Sequence, residues 1–300
     1  MQPPAVLAIH GGAGPAPPDE AQGGADRWPG QAAGLGAALR AGLAVLTEGG
    51  PALEAVIAAV MVLEDDEHWN AGRGSALTAA GTVEMDAAVA DGRDRRTGGV
   101  ACVTGIRHPV LAARAVMDDG RHVLLSGPGA EALARQAGLA FEPGGWFITE
   151  RRREALANRL ETGGTVGAVA RDDAGHLAAA TSTGGRNGQL PGRIGDSPIP
   201  GAGTWADDAG CAVSATGIGE AFLRAAFAHE VDARIRLEGV DLATACHEAL
   251  AAVTAAAGNG GCIAVTAQGP PAMPFTTELM HRGWAEVGGP LWVAARPGPL

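Results

Sequence analysis

The 300-residue sequence contains neither lysine nor tyrosine, so all 22 of its basic side chains are arginine. Without lysine the chain cannot use a P-loop lysine, a pyridoxal phosphate Schiff base or a Ser-x-x-Lys acylation site. Basic charge is scarce as well, since the formal net charge is −11 at pH 7. Such a chain cannot displace many phosphate counterions, and nucleic acid is not an expected partner.

Long apolar runs and paired cysteines are also missing from the sequence. No uncharged stretch approaches the roughly 18 apolar residues of a membrane span, and the first residues do not resemble a signal peptide. We therefore expect no membrane association. The four cysteines form no C-x-x-C pair, which favours neither a zinc knuckle nor a disulfide framework. They are typical of the reducing cytoplasm, where we expect this protein to be located.

Hydrophobic residues make up 46% of the chain, and glycine-rich breaks divide them into runs of helix and strand length. Helices are predicted at 31–47, 52–64, 110–118, 129–137, 149–161, 219–231 and 241–256. Strands are predicted at 5–9, 99–105, 122–126, 262–267 and 291–295. A hairpin is predicted over 165–183, which excludes a purely parallel sheet. We expect one compact α+β domain over residues 1–300.

The predicted hairpin sets two threonines opposite each other. If its loop is the three residues 173–175, with the glycine left-handed, position 172 faces position 176. Counting outward along both strands, Thr165 then faces Thr183. This register would place two hydroxyl groups side by side at one end of the hairpin.

A threonine hydroxyl is a weak nucleophile unless a base lies within hydrogen-bond reach. The sequence offers no evident His-Asp relay near Thr165. A cut before Thr165 would free an α-amine that titrates at about 7.7–8.0 and could take the hydroxyl proton. Gly163 and Gly164, which precede the threonine, would leave such a cut accessible.

Each of these residues, taken singly, also has a plainer interpretation. Thr165 and Thr183 could be ordinary β-branched strand residues. Arg193 and Asp196, three positions apart, could form a salt bridge within a loop. Thr216 could cap the helix predicted after it.

Two further features are interpreted as structural. HisGlyGlyAlaGly at 10–14 is similar to an esterase oxyanion loop, but no Gly-x-Ser-x-Gly nucleophile motif accompanies it. We interpret His10 as a core histidine bonded to that glycine turn. The acidic run 64–67 is interpreted as a solvated face.

Longer motifs occur along nearly the whole chain. They are IHGGAG at 9–14, NAGRGS at 70–75, EMDAAVADG at 84–92, GGTVGAVA at 163–170, ATSTGG at 180–185, LPGRIGDSP at 190–198, SATGIGE at 214–220 and MPFTTELMHRGW at 273–284. Together they resemble the plant-type L-asparaginases and isoaspartyl peptidases, which are N-terminal-nucleophile (Ntn) hydrolases. The resemblance implies a four-layer αββα sandwich. It also implies self-cleavage between Gly164 and Thr165 into an α subunit (1–164) and a β subunit (165–300).

Catalytic roles follow from the resemblance, position by position. Thr165 would be the nucleophile and its own α-amine the base, while Thr183 would orient or polarise that nucleophile. Thr216 and the amide of Gly217 would form the oxyanion hole, whose donors face the charge that develops in the transition state.

The resemblance also assigns the groups that bind the substrate. Arg193 would hold its α-carboxylate and Asp196 its α-ammonium, with Gly217 nearby and Asn70 lining the site close to the nucleophile. No cofactor is expected for catalysis. A structural sodium ion is implied at the backbone carbonyls of six residues, Leu63, Glu64, Asp66, Trp69, Ala71 and Arg73. The side chains at 65–68 depart from the usual ones of that loop.

The function implied is hydrolysis of L-asparagine and β-aspartyl (isoaspartyl) dipeptides through a threonine acyl-enzyme, with release of L-aspartate. The resemblance also implies a homodimer of αβ units. One alternative is a glycosylasparaginase-like amidase of the same fold, which needs a pocket for a sugar. Another is a small-molecule binding protein in which Thr165 stays internal and no cut occurs.

Overall fold

The computed structural model describes residues 3–16, 28–160 and 164–296. Gly163 and the end of the helix predicted at 149–161 lie outside these residues. The described helices are α1 (Pro29–Thr47), α2 (Ala52–Asp65), α3 (Pro109–Asp119), α4 (Gly127–Gln136), α5 (Gly144–Phe147), α6 (Glu150–Ala157), α7 (Gly219–Ala225), α8 (Phe227–Ala233), a π-helical turn (Arg234–Glu238) and α9 (Leu242–Ala255).

Two β-sheets form the centre of the described structure. The strands are β1 (Val6–Gly14), β2 (Met85–Asp91), β3 (Arg96–Val103), β4 (Leu124–Ser126), β5 (Val166–Arg171), β6 (Leu177–Thr183), β7 (Thr204–Ala206), β8 (Cys211–Gly217), β9 (Gly260–Thr266), β10 (Leu279–Glu286) and β11 (Trp292–Ala294). The larger sheet has the order β11-β10-β1-β5-β6-β2-β3-β4 and the smaller one β7-β8-β9. Only β3 and β4 pair in parallel among these described strands.

Successive side chains of β1 point to opposite faces of the larger sheet and so contribute to different layers. Val6 and Ala8 pack between the two sheets, whereas Leu7 and Ile9 pack against helices on the outer face of the larger sheet. A third apolar cluster joins β8 and β9 to α7, α8 and α9 on the outer face of the smaller sheet. The result is the predicted four-layer αββα arrangement, which is confirmed.

The hairpin between β5 and β6 has the predicted register. Val166 pairs with Ser182 and Arg171 with Leu177, the same alignment that sets position 165 opposite 183. Gly175 is left-handed, with φ of 84°, as the three-residue loop requires. Asp172, at the start of this turn, also accepts the amide of Ala52 at 3.1 Å and so caps α2.

Several predicted elements differ in the structure. The helix predicted at 219–231 is broken at Ala226, which has a φ of 46°, into α7 and α8. Strands β7, β8 and β10 were not predicted. The solvated-face interpretation of 64–67 is wrong for Glu64, which is fully buried and accepts hydrogen bonds from Ser182 Oγ and Val110 N. Among the described helices, none is long and apolar enough to span a membrane.

Candidate active site

The two hairpin threonines meet at the carboxyl end of β6. Thr165 Oγ1 donates a hydrogen bond to Thr183 Oγ1 at 3.2 Å, and both residues are buried. The Thr183 hydroxyl in turn donates to the carbonyl oxygen of Gly164 at 3.2 Å and accepts from the amide of Gly185 at 3.0 Å. Thr183 therefore contacts both the hydroxyl of Thr165 and the peptide group that precedes it.

Asn70 holds the same carbonyl from the other side. Its Nδ2 donates to the oxygens of Gly164 and Gly185, each at 2.7 Å, and its Oδ1 accepts from the amide of Ala76 at 2.6 Å. Because every polar atom of the amide is paired, its orientation is fixed. The Gly164 oxygen thus receives two donors, the Asn70 amide and the Thr183 hydroxyl.

The glycine turn at the end of β1 packs directly against the predicted cleavage position. A Cβ at Gly12 would lie 2.7 Å from Gly164 Cα, and Gly12 has a φ of +113°. A side chain there would displace the Gly164–Thr165 segment.

Thr216 and Gly217 lie at the end of β8, facing this turn. Thr216 Oγ1 accepts the amide of Ala13 at 3.2 Å. Its interpretation as a helix cap is wrong, since α7 is preceded by Ile218 and has no side-chain cap. Gly217 has a φ of 150°, and a Cβ there would collide with the carbonyl oxygen of Asn259.

A cavity of about 330 Å³ lies between the predicted cleavage position at Gly164 and the end of β8 at Gly217. It is lined by Ala13, Gly14, Pro15, Gly164, Arg186, Asn187, Gly217, Ile218, Asn259, Thr276, Thr277 and Glu278. The predicted cleavage position and the predicted oxyanion-hole glycine therefore face the same space.

Arg193 and Asp196 supply two opposite charges beside Gly219. A Cβ at Gly219 would lie 2.6 Å from Asp196 Oδ1 and 2.9 Å from Arg193 Nη2, so both groups point to one spot. The loop salt-bridge interpretation is wrong, because Arg193 pairs with Glu220 at 3.0 Å. Asp196 Oδ2 is buried without a hydrogen-bond partner among the described residues. Burial raises the pKa of Asp196 to about 7, against the opposing charge of Arg193.

Glu220 is a site residue that sequence reasoning missed. Its carboxylate accepts from Arg193 Nε at 3.0 Å and lies 3.6 Å from Arg186 Nη1. An acidic residue in the first turn of a helix is favoured by the helix dipole wherever it occurs. The local pattern therefore did not distinguish Glu220 from an ordinary α7 residue.

Nearly the whole chain is similar to known proteins. The sequence model of the asparaginase family matches residues 3–163 and 157–293. The chain belongs to the asparaginase family. It is 43% identical to the isoaspartyl peptidase of Salmonella typhimurium, over 95% of this chain and 96% of that protein. It is 41% identical to the plant-type L-asparaginase of Pyrobaculum calidifontis, over 94% of this chain and 97% of that protein.

His10 of this asparaginase-family chain is a fully buried residue, as predicted, but its hydrogen-bond partner differs. Its Nε2 lies 2.9 Å from Ser214 Oγ of the smaller sheet, rather than being bonded to the glycine turn. Burial lowers the pKa of His10 to about 3, opposed by the backbone of Thr165. The imidazole is therefore neutral at physiological pH and links the two sheets.

The segment expected to bind sodium, residues 63–73, begins in the last turn of α2 and continues beyond its end. The carbonyl oxygens of Glu64, Asp66 and Trp69 each accept an N–H group, from Arg73, Trp69 and Arg152 respectively. A carbonyl oxygen has two lone pairs, so these atoms still fit an oxygen-coordinated cation. No group of three or more His, Cys, Asp or Glu side chains among the described residues could hold a metal. A sodium ion at the six carbonyls remains a prediction.

A larger cavity of about 880 Å³ lies elsewhere, beside α9 and the segment 266–275. Its lining includes none of the threonines described above. The smaller cavity, by contrast, is lined by Gly164 and Gly217, which are next to Thr165 and Thr216 in the chain.

Proposed function

We propose that this chain is a self-processing amidohydrolase that hydrolyses L-asparagine and β-aspartyl dipeptides and releases L-aspartate. One observation carries the proposal: the Gly164 carbonyl is held by Asn70 and Thr183 directly beside the Thr165 hydroxyl. The names of the related proteins support the same substrates.

Self-cleavage is proposed to begin when Thr165 Oγ1 attacks the carbonyl carbon of Gly164. The negative charge that develops on the Gly164 oxygen would meet the Asn70 amide and the Thr183 hydroxyl, which already donate to it. The C–N bond breaks, the nitrogen gains a proton, and Gly164 is left as an ester on Thr165. Water then hydrolyses the ester and separates 1–164 from 165–300.

Turnover would use the α-amine that this cleavage frees. The amine accepts the proton of Thr165 Oγ1 as the oxygen attacks the side-chain amide carbon of the substrate. Thr216 and the Gly217 amide would stabilise the oxyanion. The protonated α-amine passes this proton to the amide nitrogen of the substrate, the C–N bond breaks, and the nitrogen leaves as ammonia or as the rest of the dipeptide. Water then releases aspartate from the β-aspartyl ester. Each step uses groups of the chain and its substrate, so no catalytic cofactor is proposed.

Arg193 and Asp196 would recognise the two groups that all these substrates share. The guanidinium would take the α-carboxylate in a bidentate contact, in place of Glu220. The unpartnered Asp196 carboxylate would take the α-ammonium.

Three further properties are proposed on the family resemblance. They are a homodimer of αβ units, a structural sodium ion held by the carbonyls of residues 63–73, and a location in the cytoplasm. The four free cysteines agree with a reducing compartment. Sodium would have a structural role only, by neutralising the carbonyl dipoles of that loop.

The deciding experiment is mass spectrometry with N-terminal sequencing of the purified protein, followed by assays on asparagine, β-aspartyl-leucine and N4-glycosylated asparagine. We expect a fragment beginning ThrValGlyAlaVal and release of aspartate from the first two substrates. A fully active single chain would rule out the mechanism. A processed enzyme active only on glycosylated asparagine would indicate a glycosylasparaginase, and an inactive single chain a binding protein.

Replacing Asn70 by alanine is expected to slow self-cleavage. The variant loses one of the two donors to the Gly164 oxygen. Removal of one such oxyanion contact lowers the rate by about 100-fold. The measurement is the fraction of cleaved chain on a denaturing gel against time after synthesis. Asn158→Ala, at an exposed position just after α6, should process at the wild-type rate. Equal rates for the two variants would contradict the role of Asn70.

The pH dependence of substrate use should show the titration of Asp196. Its pKa of about 7 means that acidification neutralises the carboxylate that would bind the α-ammonium. As the pH is lowered below 7, the value of kcat/KM for asparagine should therefore decrease. The decrease should be larger than that for succinamate, which lacks the amino group. Titration of the Thr165 amine affects both substrates alike, so the ratio isolates Asp196. A constant ratio between about pH 5 and 8 would contradict this assignment.

A further inference from the structure

The acidic residues of EMDAAVADG have no role in the mechanism above, yet two of them contact the substrate-binding loop. Glu84 Oε2 accepts the amide of Gly192 at 2.7 Å, and Asp86 Oδ2 accepts the amide of Gly195 at 3.3 Å. These two amides lie on either side of Arg193. The carboxylates therefore hold the loop at two points that flank the guanidinium-bearing residue.

An irregularity in the sheet orients Asp86 for this contact. The register between β2 and β3 shifts between Met85 and Ala87, and Cys102 opposite them is left-handed, with a φ of 53°. The Cys102 amide donates to Asp86 Oδ1 at 2.8 Å. Its thiol also donates to the carbonyl oxygen of Arg193 at 3.8 Å. One buried carboxylate thus joins the bulge to the loop.

The loop geometry transmits this contact to the charged groups. A Cβ at Gly195 would lie 2.8 Å from Arg193 Nη1, so the guanidinium lies directly over the residue whose amide Asp86 accepts. Asp196 follows immediately in the chain. On the other side, Asp86 pairs with Thr183 in the ladder between β2 and β6. The same residue is therefore adjacent to the hairpin of the nucleophile.

We propose that Glu84 and Asp86 are positioning residues that set the distance and orientation of Arg193 and Asp196 relative to Thr165. They would thereby select substrates whose α-carboxylate and α-ammonium are on one carbon. The inference rests on the proposed function, because it takes the loop to be the substrate-binding element. The described hydrogen bonds to the Gly164 carbonyl come from Asn70 and Thr183, so loss of either carboxylate is not expected to change self-cleavage.

The test compares Glu84→Ala and Asp86→Asn with two matched controls. Asparagine at position 86 can accept only one of the two amides, and alanine at 84 accepts none. Asp91→Asn changes an equally buried carboxylate at the far end of β2. Glu131→Ala removes a carboxylate that also accepts a backbone amide, that of Thr104, away from the loop. Complete cleavage at Thr165 shows that each variant has folded.

We expect both loop variants to be processed normally and KM for asparagine to rise about 10- to 100-fold, the loss typical of a charged hydrogen bond. The value of kcat should stay within about threefold, because chemistry at Thr165 is unchanged once substrate is bound. The ratio of kcat/KM for asparagine to kcat/KM for succinamate should fall in the loop variants and remain at the wild-type value in the controls. If the loss of any structural carboxylate had the same effect, the control variants would also show a lower kcat and a weaker preference for asparagine over succinamate.

The dissociation constant of L-aspartate, measured by calorimetry, gives a readout that does not need turnover. If both loop variants keep KM and aspartate affinity within twofold of wild type, the positioning role is wrong even though the enzyme is active. If wild-type protein is cleaved yet hydrolyses neither substrate, the proposed function fails. In that case, aspartate binding that is weaker in the loop variants but not in the control variants would still support the positioning role.

Discussion

Replacing Thr165 by alanine should leave one uncleaved 300-residue chain that hydrolyses neither asparagine nor β-aspartyl-leucine. Alanine keeps the backbone at the start of β5 but removes the hydroxyl that is proposed to attack the Gly164 carbonyl carbon. The proposed mechanism needs the same oxygen for self-cleavage and for turnover, so both should be lost together. Removal of the nucleophile from a serine protease lowers kcat by about 10⁶-fold, and we expect a loss of at least about 10⁴-fold here.

The matched variant is Thr165→Ser, which keeps the hydroxyl and loses the methyl that restricts its rotamer. It should be cleaved slowly and then be active. Intact-mass measurement over time distinguishes the two variants, and circular dichroism confirms that both are folded. An alanine variant that is still cut and still hydrolyses asparagine would require another nucleophile.

Replacing Arg193 by alanine should separate processing from turnover. Self-cleavage acts on a peptide bond already in place, with no α-carboxylate to bind, and should proceed. Turnover loses a bidentate contact to the substrate carboxylate, at a cost of roughly 2–5 kcal/mol. This corresponds to roughly 30- to 4,000-fold in kcat/KM, at about 1.4 kcal/mol for each factor of ten.

The measurement is kcat/KM for asparagine and β-aspartyl-leucine in correctly cleaved protein. Arg193→Lys should recover only part of the loss, since an ammonium cannot reproduce the planar guanidinium. Arg121→Ala removes an exposed arginine paired with Asp119 and should leave both values unchanged. Near-wild-type values for Arg193→Ala would show that the carboxylate is held elsewhere.

The register of the threonine pair could be predicted from sequence because it depends on local geometry. Once the loop 173–175 is recognised, each strand residue has one partner, and Thr165 falls opposite Thr183. Helices α1 and α2 were also predictable, since glycines and a proline separate two apolar runs. The αββα layers and the roles of the site residues could be predicted only from the resemblance to a family.

Residues whose partners are distant in sequence could not be placed in this way. Glu64 stands in an acidic run, and only the fold brings Ser182 and the Val110 amide to its carboxylate. Strand β10 includes Arg282, which is buried because its guanidinium donates to the carbonyls of Met280 and Arg296. A charged residue at such a position masks the alternation by which strands are recognised.

The antiparallel ladder between β5 and β6 also constrains how this gene can change in length. Inserting or deleting one residue within either strand would slip the pairing and turn every following side chain to the opposite face. Ser182 or Gly184 would then stand opposite Thr165, and Thr183 would no longer face it. The turn at 173–175 can absorb added residues without this slip, because a longer loop leaves the ladder aligned. Peptide tags and natural insertions in this region should therefore be compatible with activity at the turn and incompatible with it a few positions away.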